Sequence, residues 1–305
     1  MRHRHRAESS TIEAVRDGLG VGRVNRAPYR QGVTSSPAIP QWIDLDGADN
    51  VRDVGGLPTE DGGTVRSGRL IRSDSLQQLS PGDVRHLVDD LGVQFVVDLR
   101  TGVEVESEGP GPMTREPAVT IRHLSLFPEA GHNTDAALAD DDDDAPVVLP
   151  WQERDNSLTD AERRHGASAV YLRYLDERAD SILAALRTIA YSDGATIVHC
   201  AAGKDRTGTV VALALAEVGV TREAIVDDYA VSAERVEAIF ARMRRTRTYA
   251  HDIGDEPVDK HKPRATSMRH LLDTMDQLFG GPSAWLRSQG WTVEDAAARR
   301  RTLLG

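Results

Sequence analysis

The chain's only cysteine, Cys200, and Arg206 bracket five residues, Ala201, Ala202, Gly203, Lys204 and Asp205. Ala195 to Val198 lead into His199 and Cys200 as a short apolar run. Thr207 and Gly208 then open an apolar stretch from Thr209 to Ala216. The pattern predicts a buried strand, a glycine-containing loop and a buried helix. A loop entering a helix N-terminus offers backbone N–H groups and the positive end of a dipole, which suit a phosphate dianion and a thiolate. Five intervening residues let such a loop curl so that its N–H groups converge on one centre. There Cys200 can attack phosphorus in line while Arg206 grips two equatorial oxygens. The chemistry implied is two-step phosphoryl transfer through a cysteinyl-phosphate, with Ala201 to Arg206 as the phosphate cradle. Thr207 is placed to donate to the departing sulfur, and His199 is expected to orient the loop.

The elements needed to hold that loop can be read outward from it. Gln41 to Leu45, Leu70 to Ser73 and Val93 to Arg100 read as strands, with a further strand at Ile121 to Leu126. Ser80 caps a helix with Pro81 at its first position, and Gly92 stops it. One helix is expected from Ser168 to Ile189, ended by Ser192-Asp193-Gly194. Beyond Gly219 the chain is helical, with Thr221, Ser232 and Thr292 as N-caps and Gly280-Gly281-Pro282 as a stop. Strand, helix, strand in succession predicts an α/β fold, a mostly parallel central sheet flanked by helices with a helical C-terminal part.

Length and composition bound the reading. The 305 residues suffice for one large domain or two small ones, with ample core in either case. No apolar run reaches the roughly 20 residues of a membrane span, and the start lacks a signal-type apolar core, so a cytoplasmic protein is expected. One cysteine excludes an internal disulfide framework. Of 37 basic residues only Lys204, Lys260 and Lys262 are lysines. The net charge of −11 is uneven: residues 128–165 carry eleven acidic and three basic side chains, residues 1–38 three acidic and seven basic. That argues against a nucleic-acid partner without excluding an anionic substrate. Residues 1–40 read as a flexible arm and 128–165 as a solvated acidic insertion, leaving 41–305 as the domain proper. Oligomeric state is not legible.

His199, Gly203 and Thr207-Gly208 around the Cys-x5-Arg spacing make the loop resemble that of the protein tyrosine phosphatase superfamily. Its Gly203-Lys204-Asp205-Arg206-Thr207 version is similar to the bacterial atypical tyrosine and lipid phosphatases, the PtpB-like group. Asn50 to Gly56, Gly68 to Ser73, and Asp98-Leu99-Arg100 followed by Glu104 resemble that group's other blocks. The resemblance implies hydrolysis of phosphotyrosine, sometimes phosphoserine or phosphothreonine, and phosphoinositides, with no metal and no cofactor. Contact with a membrane follows only if the substrate is lipid, and Lys204 and Asp205 resemble variants associated with lipid headgroups. A helical lid over 222–266 is implied in the same way. No Trp-Pro-Asp loop is present to supply the general acid, which leaves Asp205 and Asp98. Either must be protonated to serve. The competing roles are an ion pair with Arg100 or Arg72 for Asp98, and orientation of Arg206 for Asp205. A phospho-ligand binding module with weak turnover and a rhodanese-like sulfurtransferase are the alternatives.

Overall fold

The computed structural model describes residues 40–128, 149, 167–253 and 257–305. The expected arm and acidic insertion lie outside the described residues, apart from Pro40, Pro128 and Leu149. Six strands form one sheet: β1 (Gln41–Trp42), β2 (Arg52–Asp53), β3 (Leu70–Ser73), β4 (Val93–Asp98), β5 (Thr120–His123) and β6 (Ala195–His199). Their order is β1-β2-β3-β6-β4-β5, with β3, β6, β4 and β5 parallel and the β1–β2–β3 edge antiparallel. The mostly parallel α/β sheet expected from the sequence is therefore present.

β6 lies at the centre, and all five of its residues are buried. Successive side chains feed opposite faces, as a pleated strand requires. Ile71, Val96 and Ile197 pack into one core with Leu87 and Met113, while Leu70, Val97 and Val198 enter the other. Burial on both faces explains why these strands are continuous apolar runs. At the C-terminal ends of β3, β6 and β4 the chain leaves the sheet, where α/β folds place their ligands.

Eleven α-helices are present among the described residues. The first, α1 (Pro81–Arg85), starts with the Ser80–Asp83 capping box. It loosens into a π-helical turn at His86–Asp90 before Gly92, whose φ of +64° ends it. Next come α2 (Gly102–Glu108), α3 (Ala167–Glu177) and α4 (Ala179–Ala190). The single helix expected over Ser168 to Ile189 is thus two, parted at Arg178 (φ −134°). Arg178 turns its guanidinium to Asp180, Ser181 and the Phe127 carbonyl, tying the corner that side-chain periodicity cannot show.

Helix α5 (Asp205–Glu217) follows the Cys200 loop and is buried from Arg206 to Leu215. Around it run α6 (Arg222–Val231), α7 (Val236–Met243), α8 (Arg247–Ile253), α9 (Ala265–Phe279), α10 (Pro282–Ser288) and α11 (Val293–Leu303). Thr221 and Thr292 cap as expected. Ser232 does not: it ends α6, and its hydroxyl accepts from Arg52 Nη2 at 3.1 Å, a partner 180 residues away. No helix among the described residues is long and apolar enough to cross a membrane.

Candidate active site

Residues 200–204 connect β6 to α5, and the side of the loop facing the protein is held by hydrogen bonds. Ser75 N–H donates to the Ala201 carbonyl at 3.0 Å. Asn50 Nδ2 donates to the carbonyls of Ala202 (3.0 Å) and Gly203 (3.2 Å), and Arg72 Nη2 donates to that of Gly203 at 2.9 Å. In a trans peptide the C=O of one residue and the N–H of the next point in opposite directions. Tying these three carbonyls therefore turns the N–H groups of Ala202, Gly203 and Lys204 the other way. The first N–H groups of α5 add to them, because helix geometry leaves them without partners. Gly203 has φ +65°, and a Cβ there would stand 2.5 Å from the Ser73 carbonyl oxygen, so the loop can press this close to β3 only with glycine.

Behind the loop lies a buried charge network. Asp228 on α6 accepts from Arg52 Nε at 2.9 Å and from Arg72 Nη1 at 2.5 Å, and Arg52 Nη1 donates to Asn50 Oδ1 at 2.7 Å. Burial alone would raise the Asp228 carboxyl; the two guanidiniums outweigh it and hold it below the usual carboxylate range. Burial, with the second cation beside it, lowers Arg52 to about 10.

Arg206 is gripped by Glu104, through Nη1 to Oε2 at 2.6 Å and Nη2 to Oε1 at 2.9 Å. Thr101 N–H (2.7 Å) and Tyr249 O–H (2.9 Å) also donate to that carboxylate. Burial opposes ionisation of both partners. Pairing prevails, holding Glu104 below and Arg206 well above their ordinary values. The plane of the guanidinium is fixed by this bidentate grip before any ligand arrives.

Asp205, at the start of α5, stands at the mouth of the loop with its side chain one-third exposed. Its Oδ1 accepts from Tyr171 O–H, and Oδ2 lies 3.3 Å from Lys204 Nζ. Lys204 Nζ also donates to the His261 carbonyl at 2.7 Å. Asp98 stands elsewhere. Its oxygens accept from Arg100 Nε and Nη2 at 3.0 and 2.6 Å, and it lines a small cavity of about 90 Å³ with His199, Arg100 and His123. Burial, which would raise Asp98, is outweighed by His199 and Arg100, leaving it well below the usual carboxylate range. His199 is lowered by burial to about 4 and is neutral at neutral pH. Its Nδ1 lies 3.3 Å from the Cys200 carbonyl. Thr207 Oγ1 is buried without a hydrogen-bond partner among the described residues.

Cys200 itself is 2% exposed. It lines a cavity of about 810 Å³ together with Lys204, Asp205 and Arg206, under walls that include Phe127, Tyr174 and Phe240. All three lysines of the chain line this cavity. The structure thus brings together Cys200, Lys204, Asp205 and Arg206, and places Asp98 behind His199.

The sequence profile of the tyrosine phosphatase family matches residues 43–305. The chain belongs to this family. It is 31% identical over 288 residues to the triple specificity protein phosphatase PtpB of Mycobacterium tuberculosis, covering 86% of this chain and 99% of that protein. It is 27% identical over 232 residues to a tyrosine-protein phosphatase of Nostoc commune, covering 74% and 71%. The protein is a phosphatase of the cysteine-dependent, protein-tyrosine-phosphatase type.

Sequence reasoning missed several residues around the phosphatase loop. Glu104 was legible only as part of a family block, although Thr101 and Glu104 have capping-box spacing. Asp228, Tyr171 and Tyr229 carry no local signal of the partners they take.

Proposed function

We propose that this phosphatase hydrolyses phosphate monoesters with Cys200 as nucleophile, Arg206 and the N–H groups of residues 202–206 as the transition-state clamp, and Asp205 as general acid. The carrying observation is the trio of carbonyls at Ala201, Ala202 and Gly203, tied from behind so that the opposite side of the loop is a fixed array of donors. Donors that need no reorganisation as charge spreads over the phosphoryl oxygens provide most of the stabilisation in such reactions. In the first step the Sγ–P bond forms, the P–O bond to the leaving group breaks, and Asp205 gives its proton to the leaving oxygen. Water then forms a new P–O bond as S–P breaks, returning a proton to Asp205 and a thiolate to Cys200. Asp98, ionised and fastened to Arg100, serves instead to fix the strand end beside His199. Thr207 Oγ1 donates to the sulfur as it departs.

A cavity of this width, with aromatic walls and a lysine-bearing rim, supports a broad range: phosphotyrosine first, with phosphoserine, phosphothreonine and phosphoinositides as further substrates. The mycobacterial relative's name states triple specificity, in keeping with that range. Of the lid expected over 222–266, residues 236–253 and 257–266 are the described parts that suit the role. Phe240, Ile253 and residues 260–264 face the cavity, whereas α6 is pinned beneath the loop by Asp228.

The test is release of inorganic phosphate from aryl phosphates of graded leaving-group basicity. Cys200→Ser should abolish turnover, and Asp205→Asn should slow poor leaving groups by roughly 10²–10⁴ while sparing activated ones. Turnover that survives Cys200→Ser rejects the reading. Equal loss with Asp98→Asn, confined to poor leaving groups, reassigns the acid.

A further inference from the structure

The acid's two oxygens have different surroundings. Oδ1 of Asp205 accepts from the Tyr171 hydroxyl, whereas Oδ2 faces Lys204 at the cavity. Tyr171 lies on α3 and is 1% exposed. Its oxygen is 2.6 Å from that of Tyr229 on α6, equally buried, with the rings edge to face at 6.2 Å between centroids. A phenol has one proton. Because the Tyr171 hydroxyl donates its hydrogen bond to Asp205, its oxygen is left to accept from Tyr229 O–H, and Tyr229 also interacts with the same carboxylate. The two buried phenols thus converge on one carboxylate, with Tyr171 in direct contact with Oδ1. Burial first, then the Asp205 carboxylate and Tyr229, push the Tyr171 phenol well up, so it remains a donor at every working pH.

Resting on the assignment of Asp205 as the acid, we infer that Tyr171, oriented by Tyr229, is a positioning residue that holds the Asp205 carboxyl so that Oδ2 carries and delivers the proton. An aspartate carboxyl, free to turn about χ1 and χ2 at a helix start, would otherwise sample several orientations that present different oxygens to the leaving group. The Tyr171 hydrogen bond selects one, and it satisfies Oδ1 so that the transferable proton resides on the oxygen facing substrate. The proton moves only between Oδ2 and the leaving oxygen or water, and Tyr171 keeps its own throughout.

Tyr229 has a further anchor. Its ring lies against Gly208 in the first turns of α5, where a Cβ would meet Cδ2 at 2.8 Å. It also follows Asp228, which ties Arg52 and Arg72 beneath the loop. One turn of α6 thus sets both the floor of the phosphate site and the orientation of its acid.

The experiment compares Tyr171→Phe, Tyr229→Phe, Asp205→Asn and Tyr171→Phe/Asp205→Asn on the same graded aryl phosphates, with kcat and KM separated. A hydrogen bond to an ionisable partner corresponds to roughly 10–100-fold in rate. Tyr171→Phe is expected to lower kcat by that factor for poor leaving groups, leaving 4-nitrophenyl phosphate and KM little changed. Tyr229→Phe should show the same leaving-group pattern more weakly, since Tyr171 keeps its own bond to Asp205. The double variant should be no slower than Asp205→Asn alone. An equal loss across all leaving groups, or a double variant whose loss is the product of the two, overturns the inference; should Tyr171→Phe fail to fold, Tyr229→Phe decides by the same pattern. If Asp205→Asn itself lacks leaving-group dependence, the acid assignment has failed, and that single variant identifies the failure separately.

Discussion

Replacing Asp228 by Asn changes one oxygen to an amide nitrogen and keeps the volume, so it isolates charge. In the native protein the two carboxylate oxygens serve two guanidiniums, Arg52 Nε at 2.9 Å and Arg72 Nη1 at 2.5 Å, and both arginines are about 1% exposed. Asparagine can accept from one of them; its NH2 group must face the other. Removing one member of a buried ion pair costs about 3–5 kcal/mol, because the cation left behind has neither water nor a counter-charge. For a domain of this size about 2 °C of melting temperature accompanies each kcal/mol, so a fall of roughly 6–10 °C is expected. The same change reaches catalysis, since Arg72 also donates to the Gly203 carbonyl at 2.9 Å. An Arg72 that shifts toward solvent releases one of the three tied carbonyls, and kcat/KM should fall although Asp228 touches no substrate. Acid provides an internal control. The folded-state Asp228 is held below its unfolded value near 3.8, so its contribution is complete above about pH 4 and is lost as pH falls through the folded value. The gap between the native protein and Asp228→Asn should therefore close in strong acid. Thermal unfolding followed by circular dichroism across pH, with phosphate release at neutral pH, measures both effects. A shift under about 2 °C with unchanged kcat/KM would refute the argument that the two arginines depend on this carboxylate.

Asp74 should titrate with the opposite sign. Burial raises it to about 6, against the N–H groups of Asp49 and Asn50 that it accepts, so the native state holds a proton between about pH 4 and 6 that the unfolded chain releases. Stability falls as pH rises through that window, by about 3 kcal/mol for a shift of this size. Asp74→Asn, which retains Oδ1 as acceptor, should therefore melt higher than the native protein above pH 6 and no higher near pH 4; an equal gain at both would contradict this. Hydrogen peroxide should inactivate the enzyme by converting Cys200 to sulfenic acid, and thiol should restore activity when oxidation stops there, because no second cysteine exists to form a protecting disulfide. Inactivation that leaves Cys200 unmodified by mass spectrometry would count against it.

What was legible in the sequence was local. The strand from Ala195, the glycine-containing loop and the helix after Lys204 follow from runs of residues adjacent in the chain. The caps at Ser80, Thr221 and Thr292 follow from a hydroxyl residue set just before a helical run, supported by Pro81 after Ser80 and by Asp295 three residues after Thr292. The strand expected over Gln41 to Leu45 shrinks to Gln41–Trp42, because only those two residues find ladder partners on β2, and β2 itself, two residues long at Arg52–Asp53, has no periodicity to show. Helix α10 escaped notice because Gly280-Gly281-Pro282 stops one helix and, with proline at the first position, starts the next. The grip on Arg206 joins residues 102 positions apart, and the ties from Arg52 and Arg72 to Asp228 span 176 and 156. Nothing in a sequence window encodes such pairings. A buried tyrosine at a helical core position, such as Tyr171, is read as packing unless the partner of its hydroxyl is known.

The confinement of lysine to one place has a practical consequence. Because Lys204, Lys260 and Lys262 all border the cavity that holds Cys200, a reagent that acylates side-chain amines reports on that region alone. Protection of those three amines by an added phosphate compound, read by peptide mapping, gauges occupancy of the cavity without any turnover. It works equally for a chain whose nucleophile has been removed.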